Sequence, residues 1–456
     1  MKNLVLFRNN LRIQDNPALF HACQTGKILP VFIFDENSTK KPLGGASKYW
    51  LHHALLSLNN DLDDSIIFIK GNIVDNIKIL CQKYFIDAVF LDKSFTPDEI
   101  AQDIKIDSNL FDEKIKVNFY NCSLLWEPKD ILKSDESPYK VFTPFYKRGC
   151  LAAPIPDKPA GKPEKINLIR HNENNKSLES LDLLGNFDWY SKLNKHWDIS
   201  EKAALSKFSN FKNKKIDRYK VDRDFPYLDS NSKLSPYLRF GMISVNRMWH
   251  ELLLLEKNGG VLHYMSELGW REFSYYLLYH FPSMTNENFQ QKFNSFNWLN
   301  DSNQIESWKR GDTGFPIVDA AMRELWQTGF MHNRMRMVVA SFLVKNLLVD
   351  WRIGENWFWD CLVDADPASN IAGWQWAAGT GADAAPYFRI FNPILQGEKF
   401  DPDGLYTTHY IPELKNIPIK NLQKPWEYNC GSEYTNPIVD YKFSRQRALL
   451  AYQDIK

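Results

Sequence analysis

Cysteine is scarce and scattered in this 456-residue chain: Cys23, Cys81, Cys122, Cys150, Cys361 and Cys430 make no CxxC pair and no spacing suited to metal ligands. That excludes a disulfide-stapled scaffold and a zinc module, and predicts reduced thiols in a cytoplasmic protein. Long apolar runs are missing too. No stretch approaches the roughly 20 residues a membrane span needs, and the opening MKNLVLFRNNLRIQDN breaks into charge too early for a signal peptide. Nor does one sign of charge dominate, since 56 Lys and Arg stand against 55 Asp and Glu, so a polyanionic partner would have to meet a local patch. The first apolar run is not followed by GxGxxG, so a nicotinamide-type dinucleotide site is not indicated there. No internal repeat is visible.

Aromatic residues are plentiful: 14% of the chain, including 15 Trp, of which eleven lie after residue 240. The length suits two separate cores. Residues 1–125 alternate short apolar runs (NLVLF, ILPVFIF, SIIFI, DAVFL, KVNFY) with amphipathic stretches long enough for crossover helices. Runs so short and continuously apolar predict strands buried on both faces, hence an α/β domain with a parallel, Rossmann-like sheet. Residues 126–200, with AAPIPDKPAGKPEK and HNENNKSLES, read as a long interdomain linker. Residues 201–456 carry helical periodicity nearly throughout and predict an all-α domain.

Several segments of the second half carry polar chemistry. Glu267, Trp270 and Arg271 stand at i, i+3 and i+4 in SELGWREF, on one helix face where an indole could stack on a base and charged groups meet its edge or a phosphate. A buried Trp beside a surface ion pair would leave the same trace. Asn333 and Met337 form another i, i+4 pair in MHNRMRM, with Arg334 and Arg336 on other sides. The stretch DADPASNIAGWQWAAGTGADAAPYFR sets Asp364, Asp366 and Asn370 before small residues holding Trp374 and Trp376, whose spacing sends them to opposite sides of a helix. Asn231, Ser232, Lys233 and Ser235 sit at a predicted helix start suited to a pyrophosphate or to a plain N-cap. Residues 207–223 hold seven Lys or Arg against two Asp, a stretch that fits a phosphate backbone or a solvated face.

Taken in order, FRNNLRIQDNPAL, VFTPFYKR, SKLSPYL, ELGWREF, GDTGFPIVDAAMRELWQTGFMHNRMRM and GWQWAAGTGADAAPYFRIFNP resemble the photolyase and cryptochrome family, and within it a class I cyclobutane pyrimidine dimer photolyase. The resemblance implies noncovalent reduced FAD that, excited by blue light, passes an electron to a pyrimidine dimer in damaged DNA, by a protein expected to act as a monomer. It implies FAD contacts at Tyr219, Asn231, Ser232, Lys233, Leu234, Ser235, Tyr264, Arg271, Asn333, Arg336, Asp364, Asp366 and Asn370, with Arg336 the partner of Asp364 and Asn370 beside the flavin nitrogen that gains a proton. For substrate it implies a sandwich of the flipped dimer by Trp270 and Trp376, with edge contacts from Glu267, Asn333 and Met337 and DNA contacts from Arg223, Arg271, Arg334 and Gln396. Trp374, Trp351 and Trp298 match the triad that carries electrons to oxidised flavin.

Two departures and two rivals accompany the resemblance. Asn10 replaces the acid usual in the N-terminal FRxDLR motif, which predicts a local capping difference. An antenna chromophore is expected in the first domain. Asp98 and Glu99 stand where folate-binding relatives have an Asn-Glu pair, and Thr285 where they have Lys, so methenyltetrahydrofolate is disfavoured and a deazaflavin, a second flavin or an empty site stays open. A cryptochrome-type light sensor would share FAD and the triad, but such sensors frequently carry a long extension, whereas this chain stops soon after YKFSRQRALLAYQ. A (6-4) photolyase would need a His pair over the substrate, where this sequence offers Asn333 and Met337.

Overall fold

The computed structural model describes residues 1–171, 177–186, 188–428 and 434–455. They form two compact units, Met1–Asp217 with Ser232–Pro282, and Arg218–Asn231 with Ser283–Lys456. These units cut the chain differently from the segments 1–125, 126–200 and 201–456 expected from sequence texture. The stretch read as a linker and the first helices after it fall into the sheet-bearing unit.

In that first unit, strands and helices alternate from the N-terminus: β1 (Lys2–Phe7), α1 (Pro17–Thr25), β2 (Lys27–Phe34), α2 (Gly45–Asp61), β3 (Ile67–Lys70), α3 (Ile73–Tyr84), β4 (Ala88–Asp92), α4 (Pro97–Asp112) and β5 (Lys116–Tyr120). The strands pair in parallel in the order β3-β2-β1-β4-β5. Continuous apolar runs give the reason: β4 is buried at every residue and β1 at all but its first, as both faces carry helices, whereas β5 at the edge is only half covered. Leu4, Leu6, Val31, Ile67, Val89 and Leu91 share one core cluster with Ile77 and Leu80 of α3 and Ile106 of α4. Each such side chain stabilises the fold by roughly 1.5–3 kcal/mol.

The Asn10 departure has a local explanation. Its Oδ1 accepts the Arg8 N–H at 2.9 Å and its Nδ2 donates to Asn16 Oδ1 at 3.3 Å, while that same oxygen caps α1 through the Leu19 N–H. An amide can do both jobs at a fully buried position where a carboxylate could only accept.

Residues 126–200 hold only short helical turns among the described residues, apart from a bridge pairing Leu168 with Ile28 of the sheet. Part of the predicted connection, residues 172–176, lies outside the described residues. Beyond it come α5 (Glu201–Lys214), α6 (Val245–Leu253) and the long α7 (Gly259–His280), which is capped by Asn258 and followed by Pro282. Buried carboxylates tie these helices to the earlier chain: Glu201 accepts the N–H groups of Ile13 and Gln14, and Glu272 accepts that of Leu125 at 2.7 Å.

The second unit is helical: α8 (Ser302–Arg310), α9 (Pro316–Thr328), α10 (Asn333–Ser341), α11 (Trp351–Cys361), α12 (Pro367–Ala378), α13 (Pro393–Phe400) and α14 (Tyr441–Gln453). Asp301, His332, Asp350, Asp366, Asn392 and Asp440 each cap a helix by accepting one of its orphan N–H groups. No helix of the described residues is long and apolar enough to cross a membrane. Cys23, Cys81, Cys122, Cys150 and Cys361 are free thiols, and Cys430 lies outside the described residues.

Candidate functional site

In the first unit, the face of α7 carrying Glu267, Trp270 and Arg271 is half-exposed, while Leu268, Gly269, Glu272 and Phe273 are buried behind it. Trp270 is held flat. Phe142, from the VFTPFYKR segment, stacks on it with ring centroids 3.8 Å apart and planes 11° apart, and Tyr146 stacks on Phe142 in turn at 5.5 Å. Gly269 makes this possible, because a Cβ there would stand 2.6 Å from the Tyr146 ring. The motif VFTPFYKR was visible in the sequence, but Phe142 as the ring beneath Trp270 was not singled out.

Glu267 Oε1 lies 3.5 Å from His263 Nε2, one turn earlier. Arg271, expected to meet cofactor and DNA, donates from Nη1 to Glu272 Oε1 at 3.0 Å and lies over the Tyr275 ring. Burial pushes the Glu272 carboxyl up to about 7, against the pull of Arg271 and the Leu125 and Trp126 N–H groups. Arg271 is therefore engaged within the first unit by a buried acid that sequence reasoning did not mark.

The predicted phosphate segment begins a short helix, Ser235–Arg239, with Pro236 in its first turn. Just before it, Lys233 adopts a left-handed φ of 51° and Leu234 a right-handed conformation. Such a pair turns successive backbone N–H groups toward one concavity, which suits an anion. Tyr264 donates to Ser232 Oγ at 3.1 Å, and burial raises its phenol well above the usual range, so it stays a neutral donor. The donor set at Ser232, Lys233 and Ser235 thus fits a diphosphate.

In the second unit, Arg336 forms a bidentate pair with the buried Asp364, through Nη2 at 2.8 and 3.0 Å, and its Nε donates to the Met331 carbonyl. Asp366 Oδ1 caps α12 through the Ser369 N–H at 2.7 Å. Asn370, one turn on, donates from Nδ2 to the backbone carbonyl of Glu355 at 3.1 Å and to its Oε1 at 2.8 Å. With its NH2 group held there, the amide presents its oxygen elsewhere. Glu355 was absent from the expected site, and nothing in its local sequence marks it.

Trp374 is buried and Trp376 half-exposed, the division their spacing predicts. Trp374 packs edge-on against Phe358 at 4.9 Å and Trp308 at 6.1 Å, and its Nε1 has no hydrogen-bond partner among the described residues. Trp351 is fully buried and donates to Asn288 Oδ1 at 2.8 Å, whereas Trp298 is partly exposed against Phe296 at 4.3 Å. The three indoles thus run from full burial to partial exposure.

Arg334 Nη2 reaches Asp224 Oδ2 at 2.7 Å, its guanidinium lies over Phe400 at 4.5 Å, and Nη1 contacts Met337 Sδ at 3.7 Å. Arg223 lies over the Tyr219 ring at 5.4 Å, with Asp224 at 3.9 Å. Asn333 is exposed at the start of α10, and Gln396 is half-exposed on α13. Asn231 meets His332 at 2.8 Å.

The acids at the expected antenna position are occupied within the first unit. Asp98 Oδ2 accepts the Lys40 N–H at 3.0 Å, while Glu99 accepts from Asn9 at 3.1 Å and from Thr96 at 2.6 Å.

Comparison with known proteins places this geometry. Residues 3–164 match the family model described as DNA photolyase, and residues 264–454 match that described as the FAD binding domain of DNA photolyase. A deoxyribodipyrimidine photo-lyase from Agrobacterium fabrum is 40% identical over 471 residues, covering 99% of this chain and 98% of that protein. A bacterial class III photolyase from Agrobacterium tumefaciens superposes with a TM-score of 0.95 at 40% identity, covering 100% of this chain and 97% of that one. An archaeal photolyase from Sulfolobus tokodaii, described with two FAD molecules, gives a TM-score of 0.84 at 28% identity with both chains fully covered. The class III label of one neighbour names another subgroup than the class I expected from the motifs; what the matches share is the family. On identity across nearly its whole length, the chain belongs to the DNA photolyase family and carries that family's FAD-binding domain.

Proposed function

We propose that this protein repairs cyclobutane pyrimidine dimers in DNA in a light-dependent reaction, using noncovalently bound FAD. The observation that carries the reading is the stack of Trp270 on Phe142. An indole fixed flat on one side and half-exposed is a surface on which an unstacked base can lie, worth roughly 1–3 kcal/mol per base. Lesions that stack poorly cost less to extrude, which gives selectivity before any bond breaks.

When bound, reduced FAD would supply under blue light the electron that opens the cyclobutane ring and take it back once the ring has split, so that the repair is redox-neutral. The protein's own groups do the rest. The concavity at Lys233 and Leu234 and the hydroxyls of Ser232 and Ser235 hold phosphate. Within the second unit, Asp366 and the Arg336–Asp364 pair are the polar groups that the family resemblance assigns to FAD. Asn370, oriented by Glu355, offers a carbonyl oxygen that accepts a hydrogen bond from a protonated ring nitrogen. Glu267 sits one turn before Trp270 on α7, placed to meet the edge of a stacked base. Asn333 and Met337, lacking a titratable proton carrier, favour dimer splitting over chemistry that must move a proton onto the lesion.

The test is a dimer-containing oligonucleotide incubated with FAD-loaded protein and a reductant, in blue light and in darkness, with product resolved by chromatography. Restored pyrimidines in light alone support the proposal, and equal yields in both arms refute it.

A further inference from the structure

The buried indoles Trp351 and Trp374 differ at the ring nitrogen. Trp351 donates its Nε1–H to Asn288 Oδ1 at 2.8 Å, whereas Trp374 has no partner for its own among the described residues. An indole N–H can only donate, so the amide atom facing it is the oxygen, and Asn288 Nδ2 donates on its other side to Asn294 Oδ1 at 2.8 Å. Asn288 is itself buried, on a segment held by Gln375, the neighbour of Trp374: Gln375 Nε2 donates to the carbonyls of Met284 and Glu287, and its Oε1 accepts the Phe289 N–H. The Trp374 ring presses on Gly354, one turn of α11 after Trp351. On the other side, the Leu299 N–H donates to the Leu348 carbonyl and the Asp350 N–H to Asn300 Oδ1, which lays the segment after Trp298 along the start of α11.

Oxidising an indole puts positive charge on the ring and makes its N–H a stronger donor. A hydrogen bond from a charged donor is about twice as strong as a neutral one, so the bond to Asn288 tightens as Trp351 loses an electron. Trp374 has no such bond to tighten. Arg352 lies over the Trp351 ring at 4.8 Å and opposes the charge, but Asp350 accepts from that guanidinium at 2.9 and 3.1 Å and offsets it. An amide oxygen accepts hydrogen bonds without taking the proton, which therefore stays on Trp351. We infer that Asn288 is a positioning residue for the electron relay: its carbonyl oxygen, fixed on the Trp351 N–H, makes Trp351 easier to oxidise than Trp374 and so directs transfer outward. The inference rests on the reading of Trp374, Trp351 and Trp298 as that relay. One electron passes from Trp351 to oxidised Trp374, and one from Trp298 to oxidised Trp351. Trp351 keeps its proton throughout, and an added thiol reductant returns the electron that Trp298 gives up.

Indole N–H NMR of the full chain in darkness, tryptophan-labelled, tests the contact, with the Trp351 signal identified by its loss in Trp351→Phe. Asn288→Leu is expected to move that signal upfield, and a signal that does not respond overturns the inference. Transient absorption after a blue flash, without added reductant, tests the consequence. Asn288→Leu is expected to shorten the lifetime of the tryptophan radical about tenfold, the scale on which hydrogen bonds to charged and neutral groups differ. Asn288→Asp, whose carboxyl offers an oxygen to the same N–H, is expected to restore at least the parent lifetime. Asn294 is exposed, and Asn294→Ala, which removes only the far contact of Asn288, is expected to stay within about twofold of the parent. An unchanged lifetime in Asn288→Leu, no recovery in Asn288→Asp, or an equal loss in Asn294→Ala would each overturn the inference. Trp298→Phe, which leaves the fold around Asn288 intact, halts transfer at Trp351 and is expected to show a protonated tryptophan radical cation; a neutral radical there overturns it as well. If Trp351→Phe leaves radical lifetime and photoreduction unchanged, the relay reading fails instead, and the NMR response still reports separately on the contact.

Discussion

Asn370 gives both hydrogens of its amide to Glu355, one to the backbone carbonyl and one to Oε1, and so cannot turn over. A free amide could serve as donor or acceptor, whereas this one is committed to accept. Glu355→Gln keeps the volume but can itself present either an oxygen or an NH2 group to Asn370. The variant is expected to bind FAD within about twofold of the parent, because one neutral hydrogen bond is worth only about 1 kcal/mol. It is expected to take up protons several-fold more slowly during flavin photoreduction, followed with a pH-indicator dye. Unchanged uptake would separate the orientation of Asn370 from proton delivery.

The packing of Trp374 against α11 leaves no room for a side chain at Gly354. A Cβ there would fall 2.1 Å from the ring's Cη2 and 2.7 Å from Leu343 Cδ2. Gly354→Ala must displace the indole or the helix, and overpacking of this kind costs roughly 1–3 kcal/mol. A lower thermal midpoint together with slower photoreduction is expected. A variant as stable and as photoreducible as the parent would show that the ring has another place to go.

How much of this was legible in the sequence depended on whether the signal was periodic. The parallel sheet announced itself because buried strands need unbroken apolar runs such as DAVFL, and the opposite fates of Trp374 and Trp376 follow from helical spacing alone. The family motifs marked Asp364 and Arg336, which the structure joins. Glu355, Glu272 and Asn288 were not legible, since each acts through a partner 15, 147 or 63 residues distant in the chain. A lone Glu in an amphipathic helix reads as a solvated residue until the fold supplies its partner. Arg271 shows the converse: its motif position promised a ligand contact, but the buried Glu272 beside it already holds its guanidinium.

Glu272 makes stability depend on pH. Its carboxyl titrates near 4.5 when unfolded and at about 7 in the fold, so between those values the folded state holds more of the proton. Stability from this group is complete below pH 4.5 and is lost as pH rises to 7, by about 3 kcal/mol at 1.36 kcal/mol per unit. Glu272→Gln keeps an acceptor for the Leu125 N–H and has no proton to lose. Urea denaturation of both proteins from pH 5 to 8 is expected to show the parent losing ground to the variant up to about pH 7 and no further. Parallel curves would remove Glu272 as the cause.

Trp374 separates the two electron-transfer jobs proposed for this protein. Its indole is buried among Phe358, Trp308 and the backbone of Gly354, with no hydrogen-bond partner at Nε1 among the described residues and no exposure on the half-open side that Trp376 occupies. That setting suits passage of an electron through the protein to oxidised flavin and gives no contact with a base. Trp374→Phe keeps most of the packing but installs a ring far harder to oxidise. Photoreduction of oxidised flavin is expected to slow at least tenfold, while enzyme reduced chemically beforehand repairs a dimer within about twofold of the parent rate; by the rate equation a tenfold change is about 1.4 kcal/mol in barrier. Loss of both activities in equal measure would place Trp374 on the repair path as well, and the division between a buried relay and a half-exposed base platform would have to be redrawn.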